Sequence, residues 1–303
     1  MNALRIAVVS YGNIGRYAVD AVRAAEDMEL AGVVRRSTTL TPDEARELEG
    51  VQVVTDVGEL GKVDVALLCG PTRSIPQTAP QYLERGICTV DSFDVHGDAL
   101  WQLRCDLDAV AKQHGSVAVV SAGWDPGSDS VVRTLLLAIA PQGLTYTNFG
   151  PGMSMGHSVA AKAKPGVVDA LSMTIPVGSG VHRRMVYVEL EPGADAEQVA
   201  TEIKTDPYFS HDDTRVVPVN SIDAIKDVGS GVLMVRKGVS GSTHNQNFEF
   251  RMSINNPALT SQVMVACARA AAVRLTPGAY TMPEIAPMDL LPGDRETLVK
   301  TLL

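Results

Sequence analysis

Two aspartates carry the strongest suggestion of chemistry. Asp94 closes the segment Asp91-Ser92-Phe93-Asp94, and Asp125 lies in Ser121-Ala122-Gly123-Trp124-Asp125-Pro126-Gly127. Each segment follows a short apolar run that reads as a strand. Both carboxylates are therefore expected at strand tips, where open α/β sheets bind their ligands. Paired carboxylates beside a hydride acceptor suit holding an ammonium group and removing a proton from it. The ordinary alternatives are a helix N-cap before Pro126 for Asp125 and a loop cap for Asp94.

A second constellation supplies the hydride acceptor. Ser10-Tyr11-Gly12-Asn13-Ile14-Gly15 matches G-x-G-x-x-G except for Ser10 at the first position. The second glycine lets the backbone approach a pyrophosphate, and the third lets the helix pack closely on the strand. The phosphates would rest on free N–H groups at the helix start. A tight turn without a ligand is the alternative, and the flanking strand and helix favour a dinucleotide. About 20 residues further on, a NAD enzyme carries an acid for the ribose hydroxyls. Here the chain reads Val33-Val34-Arg35-Arg36-Ser37-Thr38. Two guanidiniums at that point suit a 2′-phosphate, so the expected cofactor is NADP(H) rather than NAD(H). A solvated surface pair is the alternative. The tips Cys69-Gly70-Pro71-Thr72 and Asp91-Ser92-Phe93 complete the expected cofactor-binding set.

The elements that must position these residues fall into two textures. Short apolar runs at 5–10, 30–34, 51–54, 63–68, 87–90 and 117–120 read as strands, with helical periodicity at 13–25, 76–85 and 98–114. Nearly continuous apolar strands separated by helices mean a parallel sheet covered on both faces. The expected fold is α/β, a Rossmann-like doubly wound parallel sheet. From about residue 145, runs at 185–190 and 248–254 alternate apolar and polar residues, the mark of antiparallel strands with one face buried. A helix over 257–274, with Asn256 as expected cap, would return to the first domain along Leu259, Val263, Val265, Ala266 and Ala270. The expected domains are 1–121 plus 257–303 for the dinucleotide, and 122–256 as an α+β substrate-binding and dimerisation domain with a mostly antiparallel sheet. Its alternating strands predict a homodimer.

Composition excludes several classes. Of 303 residues, 45% are hydrophobic and 20% charged, which is ordinary for a globular protein and not for a disordered one. The net charge of −9 makes nucleic acid a poor partner. No apolar run approaches the roughly 18 residues of a membrane span. Met1-Asn2-Ala3-Leu4-Arg5 leads into a strand without a signal-peptide layout, so a cytoplasmic location is expected. Cys69, Cys88, Cys105 and Cys267 form no C-x-x-C pair, which predicts reduced thiols and no metal site.

Taken together, Ser10–Gly15, Arg35-Arg36, Asp91–Asp94, Ser121–Gly127, the block Asn148-Phe149-Gly150-Pro151-Gly152-Met153-Ser154-Met155-Gly156-His157-Ser158 and Ile254-Asn255-Asn256-Pro257 resemble the meso-diaminopimelate D-dehydrogenase family, in its shorter subtype. The resemblance runs along the whole chain, and the Phe149–Ser158 block is its most specific part. It implies NADP-dependent oxidative deamination at the D-centre of meso-2,6-diaminopimelate, giving L-2-amino-6-oxopimelate, which cyclises to tetrahydrodipicolinate, and ammonia. By the same resemblance Asp94 and Asp125 lie near the reacting amino group, and Trp124 and Phe149 shape the pocket. Met155 and Gly156 offer backbone groups, while Thr174, Arg184 and Asn256 hold the L-centre. A bidentate Arg184 clamp on a carboxylate is chemically apt; a solvated strand residue is the alternative. The family pattern implies a histidine at position 230, within Asp227-Val228-Gly229-Ser230-Gly231-Val232. Ser230 is smaller and uncharged, and His244 is a candidate substitute. Alternatives in other classes are a related NADP-dependent reductase or broader D-amino acid dehydrogenase, and a non-catalytic NADP(H) sensor. A sensor has no need of both Asp94 and Asp125.

Overall fold

The computed structural model describes residues 3–225 and 229–303. The chain opens as β1 (Leu4–Val9), α1 (Asn13–Arg23), β2 (Met28–Val34), α2 (Pro42–Glu47), β3 (Val53–Val54) and β4 (Val65–Leu68). It continues through α3 (Ile75–Leu83), β5 (Cys88–Asp91), α4 (Asp98–His114), β6 (Val117–Val120) and α5 (Ser128–Ile139). Contacts divide the chain into two compact units, one of Met1–Thr134 with Pro257–Leu303 and one of Leu135–Asn256.

In the second unit come β7 (Gln142–Phe149), β8 (Gly152–Met153), α6 (Met155–Lys162), β9 (Val167–Gly178) and β10 (Val181–Leu190). They are followed by α7 (Ala196–Thr205), β11 (Asp213–Val219), β12 (Gly229–Ser240) and β13 (Thr243–Asn255). The first unit is completed by α8 (Asn256–Val273), β14 (Gly278–Thr281) and α9 (Arg295–Leu302).

The first unit is built on a seven-stranded sheet in the order β14-β6-β5-β4-β1-β2-β3, parallel throughout. Alternate residues of each strand point to opposite faces, and both faces are covered. Ile6, Val8, Val65, Leu67, Val117 and Val119 pack with α1 and α8. Ala7, Val9, Ala66, Leu68, Ala118 and Val120 pack with α3 and α4. This is why the strands read as unbroken apolar runs. The strand order reverses between β1 and β4, which is the switch point where such sheets bind ligands. The seventh strand was not foreseen; β14 lies at the edge and pairs with β6.

Two features of α8 differ from the sequence reading. It starts at Asn256 itself rather than after it. It is also buried on nearly every side, including Met264, Cys267 and Ala268 as well as Val263 and Val265, because it lies in a core cluster instead of on a surface with one apolar stripe.

The second unit holds two sheets rather than one, ordered β11-β10-β9-β8 and β13-β12-β7. All pairings are antiparallel except β10 with β11. Val186, Val188, Val199, Ile203 and Phe209 form its core with Ala161 and Val167. In the three-stranded sheet, Val232, Met234 and Arg236 are enclosed, while Leu144 (62% exposed) and Tyr146 (37%) face outward. Arg236 donates to the Ala140 carbonyl and to Thr145 Oγ1 at 3.1 Å, so a cation closes the C-terminal end of α5. No helix of the described residues is long and apolar enough to cross a membrane, and all four cysteines are free.

Candidate active site

The glycine turn is built as its sequence demands. Ser10 adopts a left-handed φ of 76°, the conformation for which the motif normally uses glycine. A Cβ on Gly15 would stand 2.2 Å from the Ser10 carbonyl oxygen, so only glycine lets α1 approach the end of β1. A Cβ on Gly12 would meet nothing within 4 Å. Gly12 is the N-cap of α1 and provides no side-chain cap, which leaves the N–H groups of Asn13 and Ile14 to an incoming anion. These features fit a dinucleotide pyrophosphate. Tyr11 donates to Glu47 Oε2 at 3.0 Å, and burial with that carboxylate pushes its phenol up to about 12. The strand tip of β4 adjoins the turn: Gly70 faces Ser10 Oγ. Cys69 is buried under it, its thiol pushed up to about 12 by burial, and so supports the turn from below. Pro71 is exposed and Thr72 half-buried, opening a short helical turn.

The two arginines divide. Arg35 Nη1 lies 3.2 Å from Glu44 Oε2, and Glu44 is itself locked in a capping box with Thr41 at the start of α2. The Thr41 backbone N–H, then Arg35, hold the Glu44 carboxyl below its ordinary range. Arg36, Ser37 and Thr38 are exposed, and Arg36 has no ion-pair partner among the described residues. Adjacent in sequence, the two guanidiniums are not equivalent: Arg35 is already engaged by Glu44, and Arg36 is exposed.

At the tips of β5 and β6, Asp91 is wholly enclosed. Its Oδ1 accepts the Phe93 and Ser121 N–H groups at 2.9 and 3.1 Å, and burial raises its carboxyl to about 6. Ser121, at φ 57°, returns a hydroxyl bond to the Phe93 carbonyl at 2.8 Å. Asp91 thus ties two tips together from within instead of facing outward; Phe93 is buried and Ser92 half-buried. Asp94 is exposed beyond them, and among the described residues no hydrogen bond makes it a loop cap.

Asp125 is not a helix N-cap either, since α5 begins three residues later at Ser128. Gly127, at φ 146° and with a would-be Cβ 1.8 Å from the Gly123 carbonyl oxygen, closes a tight turn that presents half-buried Trp124 and Asp125. The carboxyl of Asp125 meets that of Asp129. Burial raises both, and the Asp125 charge helps carry Asp129 to about 7. Asp129 is a site residue that no motif marks; its one signal in the sequence is the four-residue spacing from Asp125.

In the second unit, Arg184 stands opposite Thr174 in the β9–β10 pairing and donates to its hydroxyl. Arg184 also donates to Asp212 Oδ2 at 2.6 Å, so it is a held cation and not a solvated strand residue. Arg183 binds Asp213 separately, at 2.6 Å. His157 Nε2 lies 3.8 Å from the same Asp212 oxygen, and its Nδ1 is 2.8 Å from Ser154 Oγ. His182 Nε2 accepts the Phe149 N–H at 2.8 Å. Burial first, then Arg184, holds both imidazoles below the usual histidine range. Asp212, His157 and His182 were not singled out from sequence. Met155 and Gly156 open α6, where backbone N–H groups are unused by the helix; the side chain of Met155 lies outside the described residues. Asn256 closes the second unit at the first position of α8. Ser230 pairs with Ile254, whereas His244 is exposed near the β12–β13 hairpin tip, about 33 Å along the strand from Ile254 at ~3.3 Å per residue. The structure does not bring His244 to Ser230. Asp227 and Val228 of that segment lie outside the described residues.

Residues 123–256 match the family described as diaminopimelic acid dehydrogenase C-terminal domain. The chain is 58% identical over 303 residues, the whole of both chains, to the meso-diaminopimelate D-dehydrogenase of Bacteroides fragilis. Its fold superposes on C. glutamicum DAP dehydrogenase in complex with DAP with a TM-score of 0.88, at 30% identity and 99% coverage of both chains. An engineered D-amino acid dehydrogenase bound to NADP+ is also similar, with a TM-score of 0.82, 29% identity and 99% coverage of both. The chain belongs to the meso-diaminopimelate D-dehydrogenase family.

Proposed function

We propose that this protein catalyses the reversible, NADP-dependent oxidative deamination of the D-centre of meso-2,6-diaminopimelate. The products are L-2-amino-6-oxopimelate, which cyclises to tetrahydrodipicolinate, and ammonia. The observation that carries this reading is that a glycine turn and two carboxyl-bearing tips share the carboxyl edge of one parallel sheet. Family membership supports it, as do the DAP and the NADP+ held by the two structural relatives.

In this reading Tyr11, Gly12, Asn13, Ile14 and Gly15 receive the pyrophosphate at the start of α1. Arg36, with Arg35 behind it, binds the 2′-phosphate, and the tips Cys69–Thr72 and Asp91–Phe93 frame the remainder. The bound nicotinamide supplies the hydride acceptor. Asp94 attracts the substrate ammonium, and Asp125 takes a proton from its nitrogen, which leaves the lone pair that must form the C=N bond as hydride departs. Water then adds and ammonia leaves. Trp124 and Phe149 limit the pocket. The N–H groups of Met155 and Gly156, with Thr174, Arg184 and Asn256, hold the carboxylates and the L-centre. The first unit is then the dinucleotide domain and the second the substrate and dimerisation domain. The half-buried Phe248, Phe250, Met252 and Ile254 on edge strand β13 support a homodimer, and the water-soluble reactants suit the cytoplasm.

The test is direct. Purified protein with NADP+ should produce the absorbance of reduced nicotinamide with the meso isomer and not with the LL isomer. Failure with the meso isomer refutes the proposal. Asp94→Asn and Asp125→Asn should each lower turnover by ~10²–10⁴-fold while NADP+ binding is retained; near-normal turnover would remove that residue from the chemistry.

A further inference from the structure

Asp129 has no task in the reaction as set out above, yet its carboxyl is fully enclosed and within hydrogen-bond contact of Asp125. It is the second residue of α5, where acids commonly cap or complement the helix dipole. A capping acid holds backbone N–H groups and stays ionised. Among the described residues no backbone N–H donates to Asp129; its donors are Ser130 Oγ at 3.2 Å and Arg133 Nη2 at 3.0 Å. Two touching carboxylates in an enclosed site repel, so the pair takes up one proton readily, and the arrangement that results is an O–H donating to a carboxylate oxygen. Arg133, on the next turn of α5, is the cation acting on both members among the described residues.

We propose, resting on the function set out above, that Asp129 is a positioning residue for the deamination: its carboxylate shares the proton that Asp125 takes from the substrate, so that two carboxyls act as a single base. The step balances simply. An N–H bond of the substrate ammonium breaks, its electron pair remaining on nitrogen. An O–H bond forms on Asp125, and that proton is held by the carboxylate of Asp129. The pair passes from two negative charges to one, and in the aminating direction it returns the proton. An isolated aspartate titrates near ~3.9 and is a poor match for an ammonium at neutral pH. With Asp129 raised to about 7 by burial and by the Asp125 charge, the pair exchanges its proton where a general base works best. Asp125 is half-buried and Asp129 enclosed, so the first meets the substrate and the second acts through it.

Two measurements test this on the intact protein. The first is kcat and KM for meso-diaminopimelate against pH in the wild type, Asp129→Asn and Arg133→Met. Asp129→Asn should shift the acid limb of kcat/KM downward and lower kcat at neutral pH roughly 10²-fold, with NADP+ affinity unchanged. Arg133 lowers the proton affinity of both carboxyls, so Arg133→Met should shift the same limb upward. A folding defect lowers activity at every pH and does not move the limb in opposite directions. Coincident profiles in all three proteins would overturn the proposal. The second measurement needs no turnover: the infrared difference between wild type and Asp129→Asn, taken slightly below neutral pH, should contain a protonated-carboxyl band. An active wild type without that band overturns the shared proton alone. A wild type with the band and no activity on diaminopimelate overturns the function, and Asp129's part in it, while the carboxyl pair stands.

Discussion

Adding one methyl group at Gly12 and one at Gly15 should separate cofactor approach from packing. At Gly15 the new Cβ would lie 2.2 Å from the Ser10 carbonyl oxygen and 3.1 Å from its carbon. Both are backbone atoms, and Ser10 is already held at φ 76°, so the overlap is relieved only by moving α1 off β1. Overpacking of this kind costs about 1–3 kcal/mol. At Gly12 the φ is −94° and ψ −158°, an extended conformation open to any residue, and the methyl meets nothing within 4 Å. Its loss as an N-cap, a few tenths to about 1 kcal/mol, is offset by a stiffer unfolded chain worth about 0.4–1 kcal/mol. Urea denaturation should therefore show Gly15→Ala destabilised and Gly12→Ala within about 0.5 kcal/mol of wild type. Cofactor titration by quenching of protein fluorescence should show Gly12→Ala binding NADP+ at least tenfold more weakly, about 1.4 kcal/mol. Unchanged NADP+ affinity in Gly12→Ala would mean that the phosphates do not cross this turn. A fully stable Gly15→Ala would refute the close packing of helix on strand.

The other predictions concern specificity and support. Arg36→Ala should weaken NADP+ binding at least tenfold and leave NAD+ nearly unaffected, whereas Arg35→Ala, which also strips Glu44 of its cation, should show a smaller cofactor effect and a measurable loss of stability; equal losses for both cofactors in Arg36→Ala would remove it from phosphate recognition. Arg236→Met, at a residue only 3% exposed, should cost about 1.5–3 kcal/mol in a urea melt, because the Ala140 carbonyl loses a charged donor. Ser230→His should raise the ratio of specificity constants for meso-diaminopimelate over a simple D-amino acid, since serine leaves room and one fewer donor at that position; an unchanged ratio would show that residue 230 does not face substrate.

The central strands were readable because burial on both faces leaves an apolar run with no alternation, as in Ile6-Ala7-Val8-Val9. The edge was not. Gly278-Ala279-Tyr280-Thr281 is short, begins with glycine and becomes a strand through pairing with distant β6. α2 carries its own mark, a Thr41–Glu44 capping box with proline at the helix start, but six residues are too few for an apolar periodicity to show. The glycine turn and the tips holding Asp94 and Asp125 followed from local spacing. The partners of their neighbours did not: Glu44 beside Arg35, and Asp212 beside Arg184, arrive from other elements. Asp129 lay within reach of local reasoning, but its meeting with Asp125 depends on α5 starting at Ser128.

The order of the chain has a consequence for synthesis on the ribosome. The N-terminal segment Met1–Thr134 emerges with six of its seven strands, yet it lacks β14 and all of α8. Until the whole of Leu135–Asn256 has been translated, β6 remains an open edge and the core face carrying Val8, Val65 and Val119 has no Met264, Val265 or Cys267 to cover it. Such a nascent intermediate exposes both unpaired backbone and apolar surface, the two features that recruit chaperones and seed aggregation. The inserted unit is contiguous and can close first. In this protein the half that is made first is therefore the half that finishes folding last.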